Sequence, residues 1–283
     1  MHIRKHIKKK DMRYSRYFKS MIWIISLIFI IFILSPILRI LSLVSISEIF
    51  TQVLTPENIS SIEITLYAAA ISTLIVLFFG FPLAYLLSRF NFPGKKILDA
   101  IVEIPIMIPH SVVGIGLLFV FAESEPGGIL FNYFGISFGY NLIAVIFAYV
   151  FVSGTYAIKT MEEAIKALPP RLEIVARTLG ASQFQVMFRI VIPRIARSIL
   201  TGGILSWARA ISEVGAILIV APYIIPGYES IAGVDVYNQF EVTGLPGAVG
   251  ISALLIVISL LIFIVLKIIQ GQENIFFVPR ERK

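Results

Sequence analysis

Arg209 and Glu213 stand four residues apart in a stretch that is otherwise apolar. On a helix that spacing puts both on one face. A charge at mid-membrane costs about 2.5–3.5 kcal/mol on insertion scales, so such residues face protein or water. The pair has two readings. It is an ion pair that fixes helix packing, or it lines or gates a path for an anion. An unpaired arginine would attract a dianion more strongly, but too tight a site slows release. Glu103 and His110 form a second candidate, seven residues apart and nearly in register on one helical face. Pro105 and Pro109 interrupt the backbone ladder there. Carbonyls freed inside a membrane must face protein or a cavity. Glu103, Pro109, His110, Arg209 and Glu213 are therefore the candidates for a translocation path or gate. The plainer alternative places Glu103 at the cytoplasmic interface and makes His110 a packing residue.

Other chemistries lack their residues. Gly135-Ile136-Ser137-Phe138-Gly139 matches the nucleophile-elbow spacing, but the motif needs a strand–turn–helix and a histidine base. The histidines are His2, His6 and His110. No H-E-x-x-H zinc motif is present. Without cysteine there is no thiolate nucleophile and no disulfide. No Walker P-loop exists, so this chain does not itself cradle ATP. Neither a catalytic residue nor a metal site is expected.

What must position the charged residues is a set of membrane helices. Of 283 residues, 58% are hydrophobic and 14% charged, with mean hydropathy +0.90. Soluble domains carry about 25% charged residues. A spanning helix needs about 20 mostly apolar residues. Six stretches qualify: Met21–Val44, Ile62–Leu87, Ile97–Phe121, Leu142–Ile165, Ile195–Val220 and Ala248–Ile269. Of 24 lysines and arginines, 22 fall before the first span, in or beside alternate loops (Lys159 to Arg197 around the longest), or at the end of the sixth span and after it. The loops Ser45–Ser61, Ala122–Asn141 and Ala221–Gly247 hold none. Both termini are thus expected in the cytoplasm of a multi-pass protein of the cell membrane. The basic charge is assigned to topology and anionic lipid, with no nucleic acid partner. Residues 1–20 form a basic arm, 21–270 the membrane domain and 271–283 a tail. The first span is a retained anchor, being longer than a signal-peptide core. Gly114, Gly116, Gly244, Gly247 and Gly250 would allow close helix approach.

The cytoplasmic loop over about 166–194 is patterned. Leu172, Val175, Ala176 and Leu179 recur with helical spacing. Pro169 and Pro170 precede them, and Gly180 follows where a helix end wants positive φ. Phe184, Met187, Phe188 and Val191 suggest a second short face, with Pro193 interrupting before the fifth span. Two amphipathic helices joined at Gly180 follow, resting on lipid or docking a cytoplasmic partner.

The run from Glu173 through Ala176, Gly180 and Ala181, with Ile192-Pro193, resembles the "EAA" loop of ATP-binding-cassette importer permeases. The triplet is displaced, with Glu173 one position early, which predicts little effect from charge reversal at Glu173. The segment from Glu103 to Leu118 is similar to the third-span motif of molybdate, tungstate and sulfate permeases. Trp207 to Ala216 is similar to their fifth-span motif. Pro109-His110 looks most like archaeal-type molybdate/tungstate members. The resemblance implies an all-α integral membrane protein of the type I importer permease fold, with six transmembrane helices. It also implies cytoplasmic coupling helices, Leu172 to Ala181 with Pro193, set against a separate ABC ATPase subunit in two copies, where ATP and Mg are used. A second permease copy, an extracytoplasmic solute-binding protein and the lipid bilayer complete the partners. The expected cargo is molybdate or tungstate, with sulfate or thiosulfate as the alternative. Rivals outside the class are an ion-coupled secondary transporter and an intramembrane hydrolase.

Overall fold

The computed structural model describes residues 16–48, 54–122, 124–135, 138–224 and 230–272. Thirteen α-helices are described: α1 Arg16–Ser42, α2 Ile46–Glu48, α3 Pro56–Arg89, α4 Lys95–Met107, α5 His110–Val120, α6 Pro126–Tyr133 and α7 Leu142–Ala167, then α8 Arg171–Thr178, α9 Gln183–Val186, α10 Ile192–Ile211, α11 Ile217–Val220, α12 Ala232–Thr243 and α13 Leu245–Gln272. Among the described residues four helices are long and apolar enough to cross a membrane, or five if the bent pair α4–α5 is one span. The expected six are therefore not all met by length and composition. The shortfall is α10, whose Arg194, Arg197 and Arg209 interrupt its apolar run. Most of the basic arm and tail lie outside the described residues, as do Ile136 and Ser137.

Local chemistry sets the helix ends. Thr55 caps α3 by accepting the Asn58 N–H at 3.2 Å, and Pro56 stands where no intrahelical donor is needed. The second span thus starts before Ile62, and Ser61, expected in a loop, is buried within α3. Asn141 caps α7 through Ala144 at 3.0 Å. Helix α7 ends before Pro169-Pro170, which cannot continue its ladder.

The core is α3, α7 and α10, packed through small residues. Ala68, Ala69, Ala148 and Ala157 are fully buried. A Cβ on Gly202 would lie 3.2 Å from the Ala157 backbone, so α10 and α7 touch nearly main chain to main chain. Ser206 donates to Ser153 at 2.9 Å across that contact. Small residues and hydroxyls are what membrane helices use in place of a hydrophobic driving force. By contrast α1 presents apolar side chains outward along its length, with Phe32 71% exposed.

Two expected spans are broken. Helices α4 and α5 are inclined by 114°, because Pro109 cannot donate and Ile108 turns extended. Pro105 lies within α4 and does not end it. The fifth span does not run on to Val220: α10 stops at Ile211, and α11 resumes at Ile217. A further helix, α12, occupies a stretch assigned to loop, since Asp235, Asn238 and Gln239 mask its short apolar face.

The broken pieces meet closely. A Cβ on Gly114 of α5 would lie 2.7 Å from the Ala216 carbonyl and 2.8 Å from Ile219, whereas Gly116 faces open space. Among the described residues Gly116 therefore meets no close approach. Gly114→Ala must push backbone apart and is expected to lower the melting temperature of the purified protein by several degrees. Gly116→Ala is expected to leave it unchanged. Equal melting of both variants in a fluorescence unfolding assay would contradict the α5–α11 contact.

Candidate functional site

The loop between α7 and α10 is built by two local motifs back to back. Gly180 takes φ +92°, the Gly180 N–H donates to Arg177 O and the Ala181 N–H to Ala176 O, both at 3.0 Å. That is a Schellman ending for α8. Ser182 then opens α9 with a reciprocal capping box to Gln185. Between helices lie only a few residues, all hydrogen-bonded, so α8 and α9 hold a fixed angle. Pro193 does not interrupt as expected. Helix α9 passes through a π-helical turn, Met187–Val191, straight into α10, with the Ile192 N–H donating to Met187 O. The longer bond loop absorbs the donor missing at Pro193.

The inward face of α8 differs from the periodic one. Ala176 and Ala181 pack on the buried cluster around Met161, Ile165 and Val186. Val175 and Leu179 point outward with Ile174, Phe184 and Phe188, and Leu179 is 84% exposed. The deepest residue is Glu173, at 9% exposure. Its Oε1 accepts from Arg89 Nε at 2.7 Å and its Oε2 from Tyr85 Oη at 2.7 Å. Arg89 also donates to Leu168 O at 2.8 Å. Tyr85 and Arg89, four apart on α3, thus clamp the loop helix to the membrane core. Glu173 is an internal anchor, so the weak effect expected of its charge reversal does not fit its surroundings. The signal in the sequence was that Glu173 is the sole acid of the loop. Its cationic partner, 84 residues away, carried no mark.

The charged residues of the spans sort differently from their spacing. Glu103 and His110 do not share a face, because the α4–α5 bend separates them. Glu103 meets Lys159 of α7 at 2.8 Å. Lys159 also binds Asp99 and, at 3.1 Å, the buried Glu162, which reaches Lys166 at 2.7 Å. This network pins α4 to α7. Lys159 entered the sequence argument only as a topological charge.

His110 joins Arg209 and Glu213 instead. Glu213 Oε2 is 2.9 Å from Arg209 Nη2 and 2.9 Å from His110 Nδ1. Its Oε1 accepts the Ala216 N–H at 2.9 Å. Arg209 Nη2 approaches His110 Nε2 at 2.8 Å, and Nη1 donates to Ser212 Oγ at 3.1 Å. Arg209 Nη2 also lies 3.0 Å from His110 Nδ1, so one amino group of the guanidinium faces both ring nitrogens and the carboxylate. Pro109 stands at the head of α5 and sets His110 as its first residue. Glu213 is 1% exposed and Arg209 18%. The cluster ties the break in the third span to the break in the fifth.

Removing one partner strands the other in low dielectric. Glu213→Ala and Arg209→Ala are each expected to reduce the folded yield in membranes more than Arg209→Ala/Glu213→Ala does. Quantitative immunoblotting of the three variants checks this; a double variant worse than both singles would mean independent roles.

Residues 77–272 match the binding-protein-dependent transport system inner membrane component family. The chain belongs to that family. This permease is 41% identical over 219 residues to the molybdate/tungstate transport system permease protein WtpB of Thermococcus kodakarensis, covering 77% of this chain and 81% of that one. It is 34% identical over 221 residues to the probable sulfate transport system permease protein cysT of Chlorokybus atmophyticus, covering 78% and 77%. Its fold is similar to that of a bacterial ABC transporter involved in import of the acidic polysaccharide alginate, with TM-score 0.69 at 19% identity over 91% of this chain and 99% of that one. The permease is accordingly an all-helical, multi-pass membrane component of an ABC transporter.

Proposed function

We propose that the permease is the translocation subunit of an ATP-driven importer of molybdate or tungstate. What carries the substrate is the 41% identity, over most of both chains, to permeases named for molybdate/tungstate transport. The relative named for sulfate transport stands at 34% and supports sulfate as the second reading.

Six helices serve as spans in this proposal. Bent α4–α5 is the third, and α10 with α11 is the fifth, with Arg209 turned into the protein toward Glu213. Both termini and α8–α9 lie in the cytoplasm, as the distribution of lysine and arginine favours. Two copies enclose one path, an ABC ATPase pair sits below and a solute-binding protein outside. Hydrolysis belongs to the ATPase subunits, which supply ATP and Mg chemistry that this chain has no P-loop to perform. The outward apolar side chains of α8 and α9, Val175, Leu179 and Phe184, fit a groove on the ATPase as a short helix does. Because both helices are capped and anchored through Glu173, a movement of the ATPase passes to α3 and α10 as a rigid-body shift.

The test is ATP hydrolysis by the permease–ATPase complex in nanodiscs, with binding protein loaded with molybdate, tungstate or sulfate. Stimulation by the molybdate- or tungstate-loaded protein is expected. Stimulation by sulfate alone would assign the second reading. Uptake driven by an ion gradient without ATP would overturn the importer.

A further inference from the structure

The Arg209 cluster is left with spare donors. Among the described residues, Arg209 Nε–H and one Nη1–H have no acceptor; its other bonds go to Ser212, His110 and Glu213. At the head of α5 the backbone N–H groups of His110 and Ser111 likewise have none, and no side chain caps that end. Helix α5 is 11 residues long, so its N-terminus adds about half a positive charge beside the guanidinium. One carboxylate, Glu213, balances this concentration of donors.

The buried cluster at the break of the fifth span holds an unused group. Tyr149 is 0% exposed, and its hydroxyl has no hydrogen-bond partner among the described residues. It belongs to the same buried cluster as Ala210 and Ala216, which flank Glu213 in sequence, and Glu213 acts on it electrostatically. A buried hydroxyl without a partner costs about 1–3 kcal/mol. A second arrangement in which it is satisfied removes that cost.

We propose that Arg209, with the free N–H groups of His110 and Ser111, is a transient binding site for the transported tetrahedral oxyanion, and that Glu213 is its built-in competitor. A dianion at the same distance has about twice the Coulomb attraction of a carboxylate for Arg209. It displaces Glu213 from the guanidinium, and the freed carboxylate turns to the Tyr149 hydroxyl while keeping the Ala216 N–H. When the anion leaves, Glu213 returns. The competitor is intramolecular, so the site holds a dianion without trapping it, as passage requires. This rests on the oxyanion import proposed above.

The experiment is equilibrium binding of radiolabelled molybdate, tungstate and sulfate to the permease–ATPase complex without binding protein. Glu213→Gln is expected to bind molybdate at least tenfold more tightly than the native complex and to transport it more slowly. Arg209→Gln is expected to bind at background. Tyr149→Phe is expected to bind molybdate several-fold more weakly than the native complex, because the displaced carboxylate loses its donor. Should Glu213→Gln not assemble, Glu213→Asp makes the same comparison with a shorter, weaker competitor. Unchanged affinity in the assembled Glu213 variant overturns the site, even if loaded binding protein still stimulates hydrolysis. Tightening for sulfate alone keeps the site and overturns the molybdate/tungstate assignment.

Discussion

Arg89→Ala is expected to cut import at least tenfold while the permease still inserts in the membrane. Arg89 and Glu173 bond at 2.7 Å with side chains 12% and 11% exposed. Breaking a buried pair by removing one partner costs about 3–5 kcal/mol, because the other charge stays buried without compensation. The cost falls somewhat below that range here, since both side chains keep a little contact with water. Even a 1.4 kcal/mol preference for an undocked loop shifts its population tenfold. The loss reaches further than stability. Arg89 also holds Leu168 O, where α7 gives way to α8, so both ends of the attachment loosen together. Glu173→Gln keeps an acceptor for Tyr85 and is expected to be milder than Glu173→Ala. Glu173→Arg places two cations together and is expected to be worst. Exchange of the pair, Arg89→Glu with Glu173→Arg, is expected to restore part of the activity. The measurements are transport and the amount of ATPase that co-purifies. Native values for Arg89→Ala would show that the anchor does not transmit movement.

Gly180→Val is expected to insert normally and to lose ATPase association or the coupling of hydrolysis to import. Among the described residues nothing lies within 4 Å of where a Cβ would stand, so no clash is involved. The cost is conformational. Side chains at positive φ lose about 1–2 kcal/mol per residue, and a β-branched one loses more. The backbone escapes that cost by leaving φ +92°, which breaks the paired bonds from Gly180 and Ala181 to α8. Helices α8 and α9 then lose their fixed angle. Gly180→Asn tolerates the left-handed region and is expected to keep most activity. Native transport by Gly180→Val, with the ATPase still bound, would remove the coupling role from this turn.

Both experiments probe one loop, and the loop divides what was legible in the sequence from what was not. Its turn could be read in advance because its determinants are local. Pro170 before α8 and Gly180 after it act on backbone groups within a few residues. The same holds for the apolar runs of α1, α3, α7 and α13, and for the break at Pro109, whose missing donor acts where it stands. Which face of α8 is buried could not be read. Helical period marks Val175 and Leu179 as one stripe, but the rotation of α8 follows from Tyr85 and Arg89 reaching Glu173 from another helix. In the spans, the link between Arg209 and Glu213 was visible as i and i+4 on one helix. That His110 joins them and Glu103 leaves for Lys159 follows from a 114° bend and from small residues that let α5 meet α11. Pairings across 84 or 99 residues depend on how helices rotate and cross when they pack. No local period or spacing records that, because the choice is made by shape complementarity among several helices at once, and only the tertiary structure decides it.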